Sequence, residues 1–251
     1  MNWPTLRVLT GTAWVLLVSL AGCARHLPAY EPLPDIPATP SGFSALLHAT
    51  WAGPEGKRRA QVALAYLAPD RIRLEILAPG GTARAVLVSS PEGAMLLDVN
   101  RRTYRPVLSG RQGMEALVHI PAPPEMIGWL LLGPEPLKTE LPCQPAVDDS
   151  GAEGWTCPLA GGERIRLLGK DGQRAEIHPE SGPPAEILWN ADPQGGRKPP
   201  RTLQIVQKDP EADLRVSLVD LRFADPPLGL FSLEPPQGFS REDPGDSPWT
   251  P

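Results

Sequence analysis

The chain has 251 residues, among them 33 prolines and 24 glycines, with 41% hydrophobic residues and a formal net charge of −5. Average usage is about 5% proline and 7% glycine, and each proline inside a helix costs about 3 kcal/mol, which excludes a helical bundle or coiled coil. The apolar share is too large and the net charge too small for a disordered chain, and no basic stripe offers a nucleic acid a docking face. A β-rich globular domain with proline-marked turns is what remains.

Residues 1–22 read as a signal peptide. Arg7 supplies the positive start, Val8 to Leu20 form an uncharged apolar run, and Leu20-Ala21-Gly22-Cys23 follows. The apolar run is short for the roughly 30 Å of a bilayer core, so it reads as a cleaved leader, not an anchor. The four residues ending at Cys23 resemble the bacterial lipobox, which implies cleavage before Cys23 and acylation of its thiol. Each buried methylene of such a chain contributes about 0.8 kcal/mol to membrane attachment. By the same resemblance Ala24 and Arg25, standing where inner-membrane lipoproteins often carry aspartate, imply sorting to the outer membrane with the domain facing the periplasm. Residues 23–40, which include Leu-Pro-Ala-Tyr-Glu-Pro-Leu-Pro-Asp-Ile-Pro-Ala-Thr-Pro, form a proline-rich tether.

The folded domain is expected over 41–234. Strands are expected at Ser44 to Trp51, Arg59 to Leu67, Arg71 to Ile76, Ala83 to Ser89, Ala94 to Val99 and Thr103 to Pro106, separated by Gly- and Pro-bearing turns. Arg71 to Ile76 alternates most cleanly, with Ile72, Leu74 and Ile76 on one face and charges on the other. The period then changes. Gln112 to His119 reads as a short helix, and Glu125 to Leu132, after Pro123-Pro124 and before Gly133-Pro134, as a second one that is apolar nearly all round. Strands resume at Gly154 to Leu159, Arg164 to Leu168, Arg174 to Pro179, Ala185 to Trp189, Thr202 to Gln207 and Leu214 to Phe223. Lys170-Asp171-Gly172 marks a hairpin turn and 190–200 a polar loop. Residues 235–251 are expected to be a disordered tail.

Cys143 and Cys157 are an even pair in a domain assigned to an oxidising compartment, which favours a structural disulfide. No histidine lies near them for a metal site, and the spacing is not the C-x-x-C of a redox dithiol. Catalytic signals are absent. His26, His48, His119 and His178 stand apart, and there is no G-x-S-x-G elbow or phosphate-binding G-x-x-x-x-G-K-[ST] loop. Gly53 to Lys57 reads as a hairpin turn and Asp148-Asp149 as solvated carboxylates. The expectation is a protein that is not an enzyme and uses neither metal nor cofactor.

The run Asp70-Arg71-Ile72-Arg73-Leu74-Glu75-Ile76-Leu77-Ala78-Pro79-Gly80-Gly81 is similar to a strand and Pro-Leu-Gly-type loop of the LolA/LolB superfamily. Ile127-Gly128-Trp129-Leu130-Leu131-Leu132-Gly133-Pro134 is similar to a helix end of its outer-membrane receptor branch. The resemblance covers residues 43–225 in the order of elements. It implies a mainly β fold: one antiparallel, strongly curved incomplete barrel of about 10–11 strands, its open side plugged by two or three short helices. It further implies an apolar cavity for acyl chains, with Ile72, Leu74, Ile76, Val86, Val88, Trp129 and Leu132 as its lining. The partners so implied are a lipid or lipoprotein cargo and a LolA-like periplasmic carrier. The sequence departs from the receptor at Gly80, which stands where that branch carries an exposed leucine. An ordinary filled core, in a lipoprotein that scaffolds other envelope proteins, is the alternative left open.

Overall fold

A computed structural model describes residues 41–53, 56–118, 142–147, 153–158, 164–168, 174–178, 184–190, 202–208 and 211–242, together with residues 123, 124, 126, 131 and 151. The signal peptide, Cys23, the tether, Asp148-Asp149, the 190–200 loop beyond Asn190 and the Lys170 turn lie outside the described residues. So do Trp129, Leu132 and most of the second expected helix.

Among the described residues fourteen strands form one sheet. In chain order they are β1 (Gly42–Gly53), β2 (Gly56–Leu67), β3 (Arg71–Leu77), β4 (Ala83–Ser90), β5 (Gly93–Asp98), β6 (Thr103–Val107), β7 (Gln144–Val147), β8 (Glu153–Pro158), β9 (Arg164–Leu168), β10 (Arg174–His178), β11 (Ala185–Asn190), β12 (Thr202–Lys208), β13 (Glu211–Arg222) and β14 (Ser240–Arg241). Helix α1 (Gly110–Val118) follows β6, and a 3-10 turn (Leu228–Phe231) follows β13. In the spatial order β14-β6-β5-β4-β3-β2-β1-β13-β12-β11-β10-β9-β8-β7, β6 to β1 and β13 to β7 are two antiparallel meanders joined where β1 pairs with β13, and β14 is added parallel to β6. The two ends of the sheet, β14 and β7, do not pair with each other, so the sheet is open.

Alternation explains why the strands bury one face. On β3 the pattern puts Ile72, Leu74 and Ile76 inside, and β9 repeats it with Ile165 and Leu167 inside and Arg164 and Arg166 outside. Inward residues from Leu96 on β5 to Cys157 on β8 belong to a single buried cluster with Met114, Leu117 and Val118 of α1. Spread flat at about 4.8 Å per strand, the sheet would be roughly 60 Å wide, whereas a helix of nine residues is only about 13 Å long. Burial of the whole face is met by curvature. Two bulges assist it: the pairing of β1 with β13 shifts between Leu46 and Leu47, and that of β3 with β4 between Ile76 and Leu77. At the first bulge the inward parity of β13 changes, so that Leu218 and Leu221 are both buried while Asp220 faces out.

The strand number and the tail differ from expectation. β7 carries Pro145, which counts against a strand by composition; its place at the sheet edge makes the missing N–H tolerable. β14 has two residues and no periodicity to read. It forms because Phe231, with Leu233 and Phe239 beside it, packs on Val86, Val88, Met95 and Leu97, carrying the chain across the outer face of β4 and β5 to the edge of β6. Ser240 and Glu242 then donate their N–H groups to the carbonyls of Arg102 and Tyr104 at 3.0 and 2.9 Å. Residues 235–242 therefore belong to the fold and not to a disordered tail.

One α-helix has its full span among the described residues. Its start precedes the expected Gln112 because Ser109 caps it. The Ser109 hydroxyl accepts the Gln112 N–H at 3.3 Å and the Gln112 side chain accepts the Leu108 N–H at 2.8 Å. Pro124, Met126 and Leu131 are helical and buried.

Candidate functional site

The inner face of the sheet is lined by buried apolar side chains from β5 across to β8. β1 contributes Phe43, Ala45, Leu47, Ala49 and Trp51; β2 contributes Val62, Leu64 and Tyr66; β3 contributes Ile72, Leu74 and Ile76. The returning meander adds Ile165, Leu167, Ile177, Ile187, Leu203, Ile205, Leu214, Val216 and Leu218. The aromatic end is fixed by Phe43, whose ring lies 5.2 Å from that of Tyr66 and 6.4 Å from that of Phe223. The Tyr66 hydroxyl donates to the Pro69 carbonyl at 3.1 Å, which satisfies the polar tip of a ring otherwise inside the core. Gln207 and Ser89 are the polar residues buried on this face.

Ile72, Leu74 and Ile76 stand on this face, as the alternation of β3 requires. Val86 and Val88 do not. They point to the opposite face and form the second cluster with Met95, Leu97 and Phe231, while Ala85 and Leu87 take the inward positions of β4. Strand β4 is buried on both faces, so its burial does not alternate and parity cannot be read from its composition. The C-terminal segment that covers the outer face is the reason. Trp129 and Leu132 lie outside the described residues. The inward residues of β9 to β13 carry the same alternating signal as β3 and were legible in the same way, Arg164-Ile165-Arg166-Leu167 most plainly.

The inner face opens to solvent at the end where the β1–β2 hairpin and the β3–β4 turn meet. A cavity of ≈ 340 Å³ there is lined by Trp51, Ile76, Leu77, Pro79 and Ala85 below, and by Arg58, Arg59, Arg84, Asp98 and Asn100 at the rim. Trp51 and Arg58 are cross-strand partners and face the same side. The Asp98 carboxylate accepts the Arg101 backbone N–H at 2.9 Å and lies 3.8 Å from its guanidinium. The turn beside the cavity, Pro79-Gly80-Gly81, is tight: Gly80 and Gly81 have φ of +103° and +83°, and nothing lies within 4 Å of where a Cβ on either would sit.

A second cavity of ≈ 400 Å³ lies on the outer face, where Ala63 and Ala65 leave a shallow floor between Arg73, Glu75, Asp220, Arg222 and Leu230. Its charges are already paired: Arg73 with Glu75 at 2.6 Å and Arg222 with Asp220 at 3.0 Å, and Arg73 also donates to the Leu230 carbonyl at 3.2 Å. Exposed pairs of this kind stabilise little.

Cys143 and Cys157 are bridged, joining the chain just before β7 to β8 across 14 residues, with Cys157 fully buried. His48 meets Gln61 at 3.2 Å and His178 meets Glu176 at 3.2 Å, each away from the inner face. Among the described residues no three His, Cys, Asp or Glu side chains gather as metal ligands, and no helix is long and apolar enough to cross a membrane.

No protein-family profile matches the sequence, and no curated protein matches it at a significant level. Solved structures do match. A LolA superfamily protein from Nitrosomonas europaea is similar over 79% of this chain and 92% of its own, at 11% identity and a TM-score of 0.51. A DUF1329 family protein from Desulfovibrio piger is similar over 78% of this chain and 91% of its own, at 10% identity and a TM-score of 0.53. A putative outer membrane lipoprotein-sorting protein domain from Vibrio parahaemolyticus follows at 10% identity and a TM-score of 0.49, over 77% and 90%. At such identities the likeness is one of architecture, and the architecture it identifies in this chain is the LolA-like fold.

Proposed function

We propose that this protein is a lipoprotein anchored in the outer membrane through Cys23, and that its domain holds lipid acyl chains against the inner face of the open sheet in lipoprotein sorting or insertion. The observation that carries this reading is the continuity of that apolar face with a solvent-open cavity floored by Trp51, Ile76 and Ala85. An apolar face buries acyl methylenes at about 0.8 kcal/mol each, so binding needs area and no catalytic group. In this reading short helices, α1 among them, plug the open side, and a LolA-like carrier delivers the cargo. The tight glycine turn at Gly80 presents no side chain to a membrane, which favours holding lipid over driving it into a bilayer.

A second reading has its own observation. Met114, Leu117, Met126 and Leu131 are already buried against the sheet, as in a filled core. A lipoprotein of that kind acts as an envelope scaffold through protein contacts. Extraction of the purified protein for mass spectrometry separates the two. Co-purifying lipid, or a fluorescent fatty acid whose binding is lost in Trp129→Ala, supports the first; a stable fold that takes up neither favours the scaffold. Depletion in cells followed by membrane fractionation tests the sorting role, which fails if other lipoproteins still reach the outer membrane. Cys23→Ser releases the protein from membranes if the anchor is as proposed.

A further inference from the structure

The cavity at the mouth of the sheet is unlike the rest of the molecule in charge. Among the described residues Arg58, Arg59 and Arg84 line it against one acid, Asp98, in a chain whose net charge is −5. Asp98 is moreover held by Arg101 through both its oxygens, so the cavity faces less of its negative charge than the count implies.

The backbone accounts for the placement of two of these cations, Arg84 and Arg58. Leu77 pairs with Ala83 and Ile76 with Ala85, so Arg84 is the extra residue of a β-bulge. A bulge re-aims the side chain it carries, and Arg84, which strand parity would turn outward with Val86, lines the mouth instead. Arg58 lies cross-strand from the buried Trp51, on the inner side of the hairpin. The floor of the same cavity is apolar, with Trp51, Ile76 and Ala85 all nearly inaccessible to solvent. A cationic rim over an apolar floor suits an amphiphile whose head is anionic. Arginine is the side chain best shaped for phosphate, which it grips through paired N–H donors.

We propose that the mouth binds the phosphate-bearing head of a lipid, held by Arg59 and Arg84 beside Arg58, with the acyl chain directed inward over Trp51 and Ile76. This rests on the acyl-binding reading above. The head group adds what that reading leaves undefined, the class of lipid.

The test uses the full-length protein in a neutral nonionic detergent, offered an equimolar mixture of palmitoyl lysophosphatidic acid and monopalmitoylglycerol, with bound lipid counted by native mass spectrometry. The phosphate lipid should be preferred by about tenfold, the ratio that one charge-assisted contact supplies. The Arg59→Gln/Arg84→Gln pair should bring the ratio close to one, and Arg215→Gln, an exposed arginine of β13, should leave it unchanged. Excess glycerol 3-phosphate should fail to displace the lipid. Both lipids bound equally overturns the head-group assignment and leaves acyl binding standing. Glycerol 3-phosphate bound through the same arginines, with no lipid bound, overturns the proposal in favour of a site for a free phosphate ester. Neither lipid bound, and no phosphate ester, overturns both readings.

Discussion

Gly113 on α1 and Leu87 on β4 are fitted to each other: a Cβ on Gly113 would collide with the Leu87 side chain, and Leu87 is wholly buried. The absence of a side chain at one position lets the helix settle directly onto the sheet. Leu87 in turn occupies an inward position of β4, wholly buried in the same cluster as Leu96, Met114 and Leu117, so its side chain can shift only by displacing other core atoms.

Gly113→Val should therefore lower stability by about 1–3 kcal/mol, the usual cost of overpacking a filled core. In a domain of this size that is a fall in Tm of roughly 2–4 °C per kcal/mol. Combining it with Leu87→Ala should recover part of the loss, because the deleted atoms are the ones in the way. Thermal unfolding of the two single variants and the double variant decides it. Strictly additive losses would show that α1 does not pack as described.

The disulfide closes a loop of 14 residues, for which the chain-entropy account gives about 3 kcal/mol. Cys143→Ala/Cys157→Ala should cost that much and add a little for the space left by Cys157, which is fully buried in the main cluster. Reduction of the unaltered protein should reproduce most of the loss. Differential scanning calorimetry with and without reductant measures both, and an unchanged Tm in the two cases would mean that the bridge does not bear on folding.

Strand β3 was legible because one of its faces meets solvent and the other the core, so composition alternates with exposure. The same physics made β9 to β13 legible, and with them most of the inner face. It failed at β4, where a segment more than a hundred residues later covers the outer side and Val86 and Val88 look no different from core residues facing in. That covering segment was hidden for a related reason: Phe231, Leu233 and Phe239 have no common period, and only the apolar outer surface of β4 and β5 gives them a place to go. The mouth cavity was not legible either. Its lining comes from three hairpins and a bulge, and nothing in the run Thr82-Ala83-Arg84-Ala85 announces the extra residue at Arg84.

Phe231 separates the two cores. It is buried against Val86, Val88, Met95 and Leu97 and belongs to the outer cluster alone. Phe231→Ala should cost about 3–5 kcal/mol in local stability and should loosen the C-terminal segment before the rest of the sheet. Hydrogen exchange checks this directly. The amides of Ser240 and Glu242, which pair with Arg102 and Tyr104, should exchange much faster, while those of β1 and β13 keep their protection. A uniform rise across the sheet would mean that the outer cluster is no separate unit.

Gly80 gives a glycine of the opposite kind to Gly113. Its φ of +103° strains any other residue, yet nothing lies within 4 Å of the place a Cβ would take. The penalty of substitution is thus a backbone penalty, on the order of 1–3 kcal/mol, and should not grow with side-chain size. Gly80→Ala and Gly80→Leu are expected to fall by the same amount within a few tenths of a kcal/mol, whereas Gly113→Ala and Gly113→Val should differ clearly because the second meets more of Leu87. Urea unfolding of the four variants compares the two positions on one scale. If Gly80→Leu proves much worse than Gly80→Ala, the turn beside the mouth is more enclosed than its geometry states.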